Sequence, residues 1–85
     1  MVSISLHYWA GARAAAGVDQ ELVEADSVAA ALQRATEKHA DRRFELVLRA
    51  SSLLIDGLTA HPADLERVRE QPVRVEILPP FAGGA

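Results

Sequence analysis

The residues best placed to do chemistry stand at the end of the chain, in Pro79-Pro80-Phe81-Ala82-Gly83-Gly84-Ala85. Neither proline can continue a strand interior, because each lacks the N–H that a ladder needs. Both favour an extended, polyproline-like exit without internal hydrogen bonds. Two glycines then remove side-chain bulk just before the last residue. The segment reads as a stiff root with a slender tip, and the stretch from Pro79 to Gly84 reaches at most about 20 Å. The competing reading is a frayed terminus, since chain ends are commonly poorly ordered.

Other reactive side chains form no comparable motif. His7, His39 and His61 are scattered, and none pairs with Asp or Glu at the spacing of a helical metal site. His39 falls at a helix end, where the dipole favours a donor or a cation. Ser51-Ser52 lacks the surroundings of a nucleophile elbow, and no helix follows Gly83-Gly84 to make it a phosphate loop. Asp41-Arg42-Arg43 with Arg49 reads either as a basic patch for a partner or as a solvated face. The chain has no cysteine, so disulfide and thiolate chemistry are excluded.

The elements that must position the tail follow from periodicity. Val2, Ile4, Leu6 and Tyr8 alternate with Ser3, Ser5, His7 and Trp9, the period of a half-buried strand. Ala10 to Ala16 is either a short helix ended by Gly17 or a loop. Gln20 to Ala25 is a second strand candidate. Asp26 and Ser27 are N-cap types, and Val28, Ala31, Leu32, Ala35 and His39 follow at helical spacing, giving one amphipathic helix over 28–39. Asp41-Arg42-Arg43 breaks that pattern, and Phe44 to Leu48 is a helical turn or an irregular segment. Ser52 to Ile55 is a short strand closed by an Asp56-Gly57 turn. His61-Pro62 reads as loop and Ala63 to Val68 as a helical turn. Pro72 opens the last strand, with Val73, Val75 and Ile77 inward and Arg74 and Glu76 outward. A two-layer α+β domain results, with the main helix covering one sheet face.

Eighty-five residues make a single small domain. Its boundaries are read as 1–78 for the folded unit and 79–85 for the tail. Two Phe, one Tyr and one Trp leave a lean, alanine-rich core. A net charge of −3 argues against nucleic acid or an anionic membrane as the main partner. No apolar run approaches the ~20 residues of a membrane span, and no signal-peptide pattern opens the chain. A cytoplasmic location is the expectation.

On these residues the chain resembles the β-grasp sulfur carriers, the ThiS/MoaD group of ubiquitin-like proteins. The ending Val75-Glu76-Ile77-Leu78-Pro79-Pro80-Phe81-Ala82-Gly83-Gly84 is similar to that group's strand, Pro-Pro and Gly-Gly signature. Tyr8-Trp9 and the alanine-rich stretch after it resemble the aromatic-Ala pair and short helix of molybdopterin-synthase small subunits. Leu53-Leu54-Ile55-Asp56-Gly57 resembles their strand-turn element. The resemblance implies a mixed four- to five-stranded sheet, with one main helix on one face and the first and last strands as parallel central neighbours. Trp9 and Leu78 would then meet at the root of the tail and, with Phe81, form an exposed apolar patch for partner docking. The alternative is that Trp9 packs under Ala10 to Ala16.

The resemblance also implies a non-catalytic carrier. A ubiquitin-activating-like adenylyltransferase would use ATP and magnesium to adenylate the C-terminal Gly84. Sulfur would displace AMP to leave a thiocarboxylate, passed on to a sulfur-accepting synthase such as a molybdopterin synthase large subunit, or to a metabolite pathway. The carrier itself would bind no cofactor and no metal. Gly83 would keep the tip slim, and Pro79, Pro80 and Phe81 would support it. Two features depart from the group's pattern. Ala85 follows Gly84, and three explanations compete: trimming of the Gly84–Ala85 bond, by a zinc-dependent peptidase in related cases; activation of Ala85 itself, whose methyl would crowd a glycine-shaped channel; or a chain that is no sulfur carrier. The turn before the last strand lacks the usual Gly-Asp, and Pro72 is expected to set it instead. A ubiquitin-like protein modifier or interaction domain is the alternative function.

Overall fold

The computed structural model describes residues 1–80. Along the chain run β1 (Val2–Tyr8), α1 (Ala10–Ala16), β2 (Gln20–Ala25), α2 (Val28–His39), α3 (Arg42–Ala50), β3 (Ser52–Ile55), β4 (Leu58–Thr59), α4 (Pro62–Glu66) and β5 (Val73–Leu78). The strands form one mixed five-stranded sheet in the order β2-β1-β5-β3-β4. β1 and β5 pair in parallel, with Ile4 opposite Val73, Leu6 opposite Val75 and Tyr8 opposite Ile77. The other pairings are antiparallel.

Alternation decides which face of each strand is buried. Ile4, Leu6 and Tyr8 of β1 and Val73, Val75 and Ile77 of β5 point into the core. The helical layer meets them with Ala12, Val28, Ala31, Ala35 and Phe44. Alanines at the contact let the helices approach the sheet closely, so Phe44 supplies much of the bulk. Leu32, expected at the centre of the helix face, is only partly buried and packs at the edge of the core.

Caps explain where the helices begin and end. Ser27 accepts a hydrogen bond from the Ala30 N–H at 3.1 Å and starts α2. Asp41 accepts from the Arg43 N–H at 2.8 Å and starts α3. The helical layer is therefore broader than the one main helix expected. Asp41, part of the charged triplet that breaks the α2 pattern, is the cap of a nine-residue helix, α3. α1 is a helix rather than a loop, closed by Gly17 at φ 79°. His61 and Pro62 are not loop but the N-cap and first residue of α4, which ends at Glu66 instead of reaching Val68. Asp56 and Gly57 both have positive φ, 50° and 85°. They join β3 to β4 in a tight hairpin whose twist suits the flanking strands.

The connection into β5 is anchored by a residue that the pattern did not single out. The Arg69 N–H donates to the Asp26 carbonyl at 2.7 Å, and its guanidinium donates to the Asp64 carbonyl at 2.8 Å. Pro72 stands exposed just ahead of the strand, and Arg69 adds to this turn a tether that the pattern did not signal.

Candidate functional site at the root of the tail

β5 is the central strand, hydrogen-bonded on both sides, and it leads directly into Pro79-Pro80. Its alternation continues into the root. Ile77 and Pro79 are buried, while Leu78 is half-buried and Pro80 exposed. The Trp9 N–H donates to the Ile77 carbonyl at 3.2 Å, extending the parallel pairing past the end of β1. Trp9 is extended, with φ −117° and ψ 151°, and serves as the N-cap residue of α1.

Trp9 follows Tyr8, and Leu78 follows Ile77, across a pair held in register. The alternation therefore sets Trp9 and Leu78 side by side on the sheet face turned away from the helices. Trp9 keeps 45% of its surface exposed, more than a side chain sealed under α1 would keep. The same open face carries His7, Arg74 and Glu76 from neighbouring register positions. Burial, together with the Arg74 charge, lowers the His7 imidazole below its ordinary value, against an opposing pull from Glu76. A cleft of about 250 Å³ beside them is lined by His7, Trp9, Arg13, Asp19 and Arg74, among others.

The other side of the root is different. Gly11, Leu46, Val47, Ala50, Pro79 and Pro80 line a largely apolar groove of about 310 Å³ between α1, α3 and the departing chain. Leu46 is 51% exposed at its margin. Of these residues only Pro79 and Pro80 read as part of a site in the sequence; Gly11, Leu46, Val47 and Ala50 join them in the fold. Leu46, Val47 and Ala50 do lie at helical spacing, which is the signal that could have found them once α3 was known. A larger hollow of about 500 Å³ lies between β2 and α2. It is rimmed by Glu24, Arg34, Glu37 and Lys38 and is separated from β5 by β1.

Beneath the root, a polar cluster ties three elements together. The Tyr8 hydroxyl donates to Glu21 Oε1 at 2.5 Å. His39 Nε2 lies 2.8 Å from the same oxygen, and Lys38 Nζ lies 2.9 Å from Glu21 Oε2. A carboxylate only accepts, so His39 carries a proton on Nε2. Phe44 lies against the His39 ring with centroids 4.4 Å apart. Burial alone would raise the Glu21 carboxyl, but the hydrogen bonds from Tyr8, Lys38 and His39 together outweigh it and hold it below its usual range. Burial and the bond to Glu21 raise the Tyr8 hydroxyl far above its usual range. His39 thus has a specific partner, Glu21, beyond the general attraction of a helix end.

Among the described residues no group of three His, Cys, Asp or Glu side chains is placed to hold a metal ion, and no helix is long and apolar enough to cross a membrane. Phe81, Gly83, Gly84 and Ala85 lie outside the described residues.

No family model matches the chain, and no curated protein matches it. Solved structures do. Small archaeal modifier protein 1 from Methanosarcina acetivorans superposes with a TM-score of 0.80 at 23% identity, covering 99% of this chain and 98% of that one. Small archaeal modifier protein 1 from Haloferax volcanii gives 0.74 at 21% identity, covering 96% and 99%. A chain of the complex between subunits 1 and 2 of molybdopterin-converting factor from Helicobacter pylori gives 0.67 at 11% identity, covering 96% and 99%. The strand order, the parallel β1–β5 pair and these superpositions together identify a ubiquitin-like β-grasp fold.

Proposed function

We propose that this protein is a sulfur carrier that works through its C-terminal glycine. The observation that carries the reading is the route of the chain. The central strand runs without interruption into a half-buried Pro-Pro root, and the sequence beyond it is Phe-Ala-Gly-Gly-Ala. A root held by packing and by proline stiffness loses little freedom when a partner encloses the tip. Glycine lacks a Cβ and fits a narrow channel in many backbone conformations.

A carboxylate is a poor electrophile, so an activating partner is required. With ATP and magnesium as its substrates, that partner converts the Gly84 carboxylate to an acyl adenylate and releases pyrophosphate. A sulfur nucleophile at the oxidation level of sulfide then attacks the carbonyl, AMP leaves, and a thiocarboxylate remains for transfer to an acceptor synthase. Similarity to a molybdopterin-converting factor chain that assembles with a second subunit supports an acceptor of that kind. Ala85 must first be removed, because adenylation of Gly84 needs a free carboxylate on that residue.

The test uses two chains, one ending at Gly84 and one at Ala85, each incubated with the host's ubiquitin-activating-like enzyme, ATP, magnesium and a sulfur donor. Intact mass should show an oxygen-to-sulfur exchange on the Gly84 form alone. Sulfur on the Ala85 form would remove the need for trimming, and sulfur on neither form would end the carrier reading.

A second reading draws on the similarity to proteins named modifiers. An activated Gly84 can also be captured by a lysine amine to give an isopeptide bond. Lys38 is the chain's sole lysine, so a range of lysine conjugates would have to form on other proteins. Lysine-linked Gly84 in digests of host proteins would favour the modifier role, and its absence beside a detectable thiocarboxylate would favour the carrier.

A further inference from the structure

The groove between α1 and α3 is a second grip on the tail root, independent of the Trp9 and Leu78 side. Its floor is apolar, formed by Gly11, Leu46, Val47, Ala50, Pro79 and Pro80. α3 also carries two arginines one turn before those residues. Arg42 precedes Leu46 by four positions, and Arg43 precedes Leu46 by three and Val47 by four, so all share one side of the helix. Arg42 and Arg43 are exposed and have no carboxylate partner among the described residues, whereas Arg49, on the same helix, is paired with Glu45 at 3.1 Å. In a chain of net charge −3 this pair is a local reversal of sign.

We propose that this strip is the docking site for an acidic segment of the activating partner, one that sets a bulky apolar side chain in the groove with carboxylates against Arg42 and Arg43. The inference rests on the carrier reading and adds the means of recognition. Adenylation brings a terminal carboxylate up to a triphosphate, and the two repel each other. Binding energy gained far from the reacting atoms offsets such a cost, and the root is the nearest folded surface to the tail. Opposite charges there also steer the encounter. The apolar groove then fixes the register in which the tail enters, since Pro79 and Pro80 form part of its wall.

The experiment measures the steady-state dependence of adenylation on the concentration of the chain ending at Gly84. Arg42→Glu, Arg43→Glu and Leu46→Gln are each compared with the unaltered chain and with Arg34→Glu, an equal charge reversal on α2. The fold should tolerate all of these. Leu46, Arg42 and Arg43 are exposed, and an acidic residue in the first turn of α3 suits the helix dipole. The strip variants should raise KM about tenfold or more with kcat little changed, as expected for lost docking rather than lost chemistry. Added salt should raise KM for the unaltered chain and have less effect on the arginine variants. Arg34→Glu should leave KM unchanged. An adenylated chain whose KM ignores all three strip substitutions overturns this proposal alone. Failure to adenylate even the unaltered chain overturns the carrier reading and this proposal with it.

Discussion

Glu21 shows how one side chain can join parts of the fold that are far apart in sequence. It receives Tyr8 from β1 and Lys38 and His39 from the end of α2. Its side chain is only 8% exposed, so its charge is sustained by those donors. Tyr8→Phe keeps the ring packed against Phe44 and removes one charge-assisted hydrogen bond, a loss of about 1.5–3 kcal/mol. Urea denaturation of the two proteins at pH 7 measures it. The pH dependence has a definite sign. The folded carboxyl titrates below the ordinary value of 4.5, so its contribution is complete well above that value and is lost as pH falls through the lower, folded one. Glu21→Gln should therefore lower stability at pH 7 and flatten the acid limb of the stability curve below the ordinary carboxyl value of 4.5. An unchanged limb would show that the cluster does not titrate with folding. None of this was legible in advance. Glu21 reads as an ordinary polar position in a strand, and its partners stand many residues away.

The helices show where periodicity suffices and where it fails. Twelve residues of α2 give more than three turns of pattern and a serine cap, and its boundaries follow from the sequence. α3 is shorter, and only Phe44 is fully buried, so two turns of mixed charged and apolar residues looked irregular. Its Asp41 cap was the clue. Between the two helices the chain turns through Ala40, which adopts the left-handed conformation at φ 49°. A Cβ is disfavoured there. Ala40→Gly should stabilise the fold by about 0.5–1 kcal/mol, the relief of left-handed strain exceeding the extra freedom that glycine brings to the unfolded chain. Thermal unfolding checks it, and a lower Tm would show that the turn tolerates alanine without strain.

The protein as an assembly of layers depends on few large side chains. Phe44 is 1% exposed and contacts the rings of Tyr8 and His39, joining α3 to β1 and α2. Phe44→Ala should cost about 3–5 kcal/mol, a large share of the roughly 4–13 kcal/mol expected of a domain this size. The substitution should also disturb the groove at the tail root, because Phe44 anchors the helix that bears Leu46 and Val47. Chemical denaturation gives the first effect and adenylation kinetics the second. Local chemistry in the chain specified the alternating strands, the long capped helix, the Asp-Gly turn and the Pro-Pro, Gly-Gly ending, since each is written within a few neighbouring residues. The two-residue β4 after that turn is too short to carry a pattern. The sheet's strand order had rested on the resemblance, because pairing joins residues about 70 positions apart, such as Ile4 and Val73, and backbone hydrogen bonds carry no residue code. Folding alone brought Tyr8, Glu21 and His39 to one carboxylate, and folding alone put α3 beside Pro79 and Pro80. The slender ending is thus a property of composition. The grooved, two-sided root that holds it exists only once β1, β5, α1 and α3 have packed.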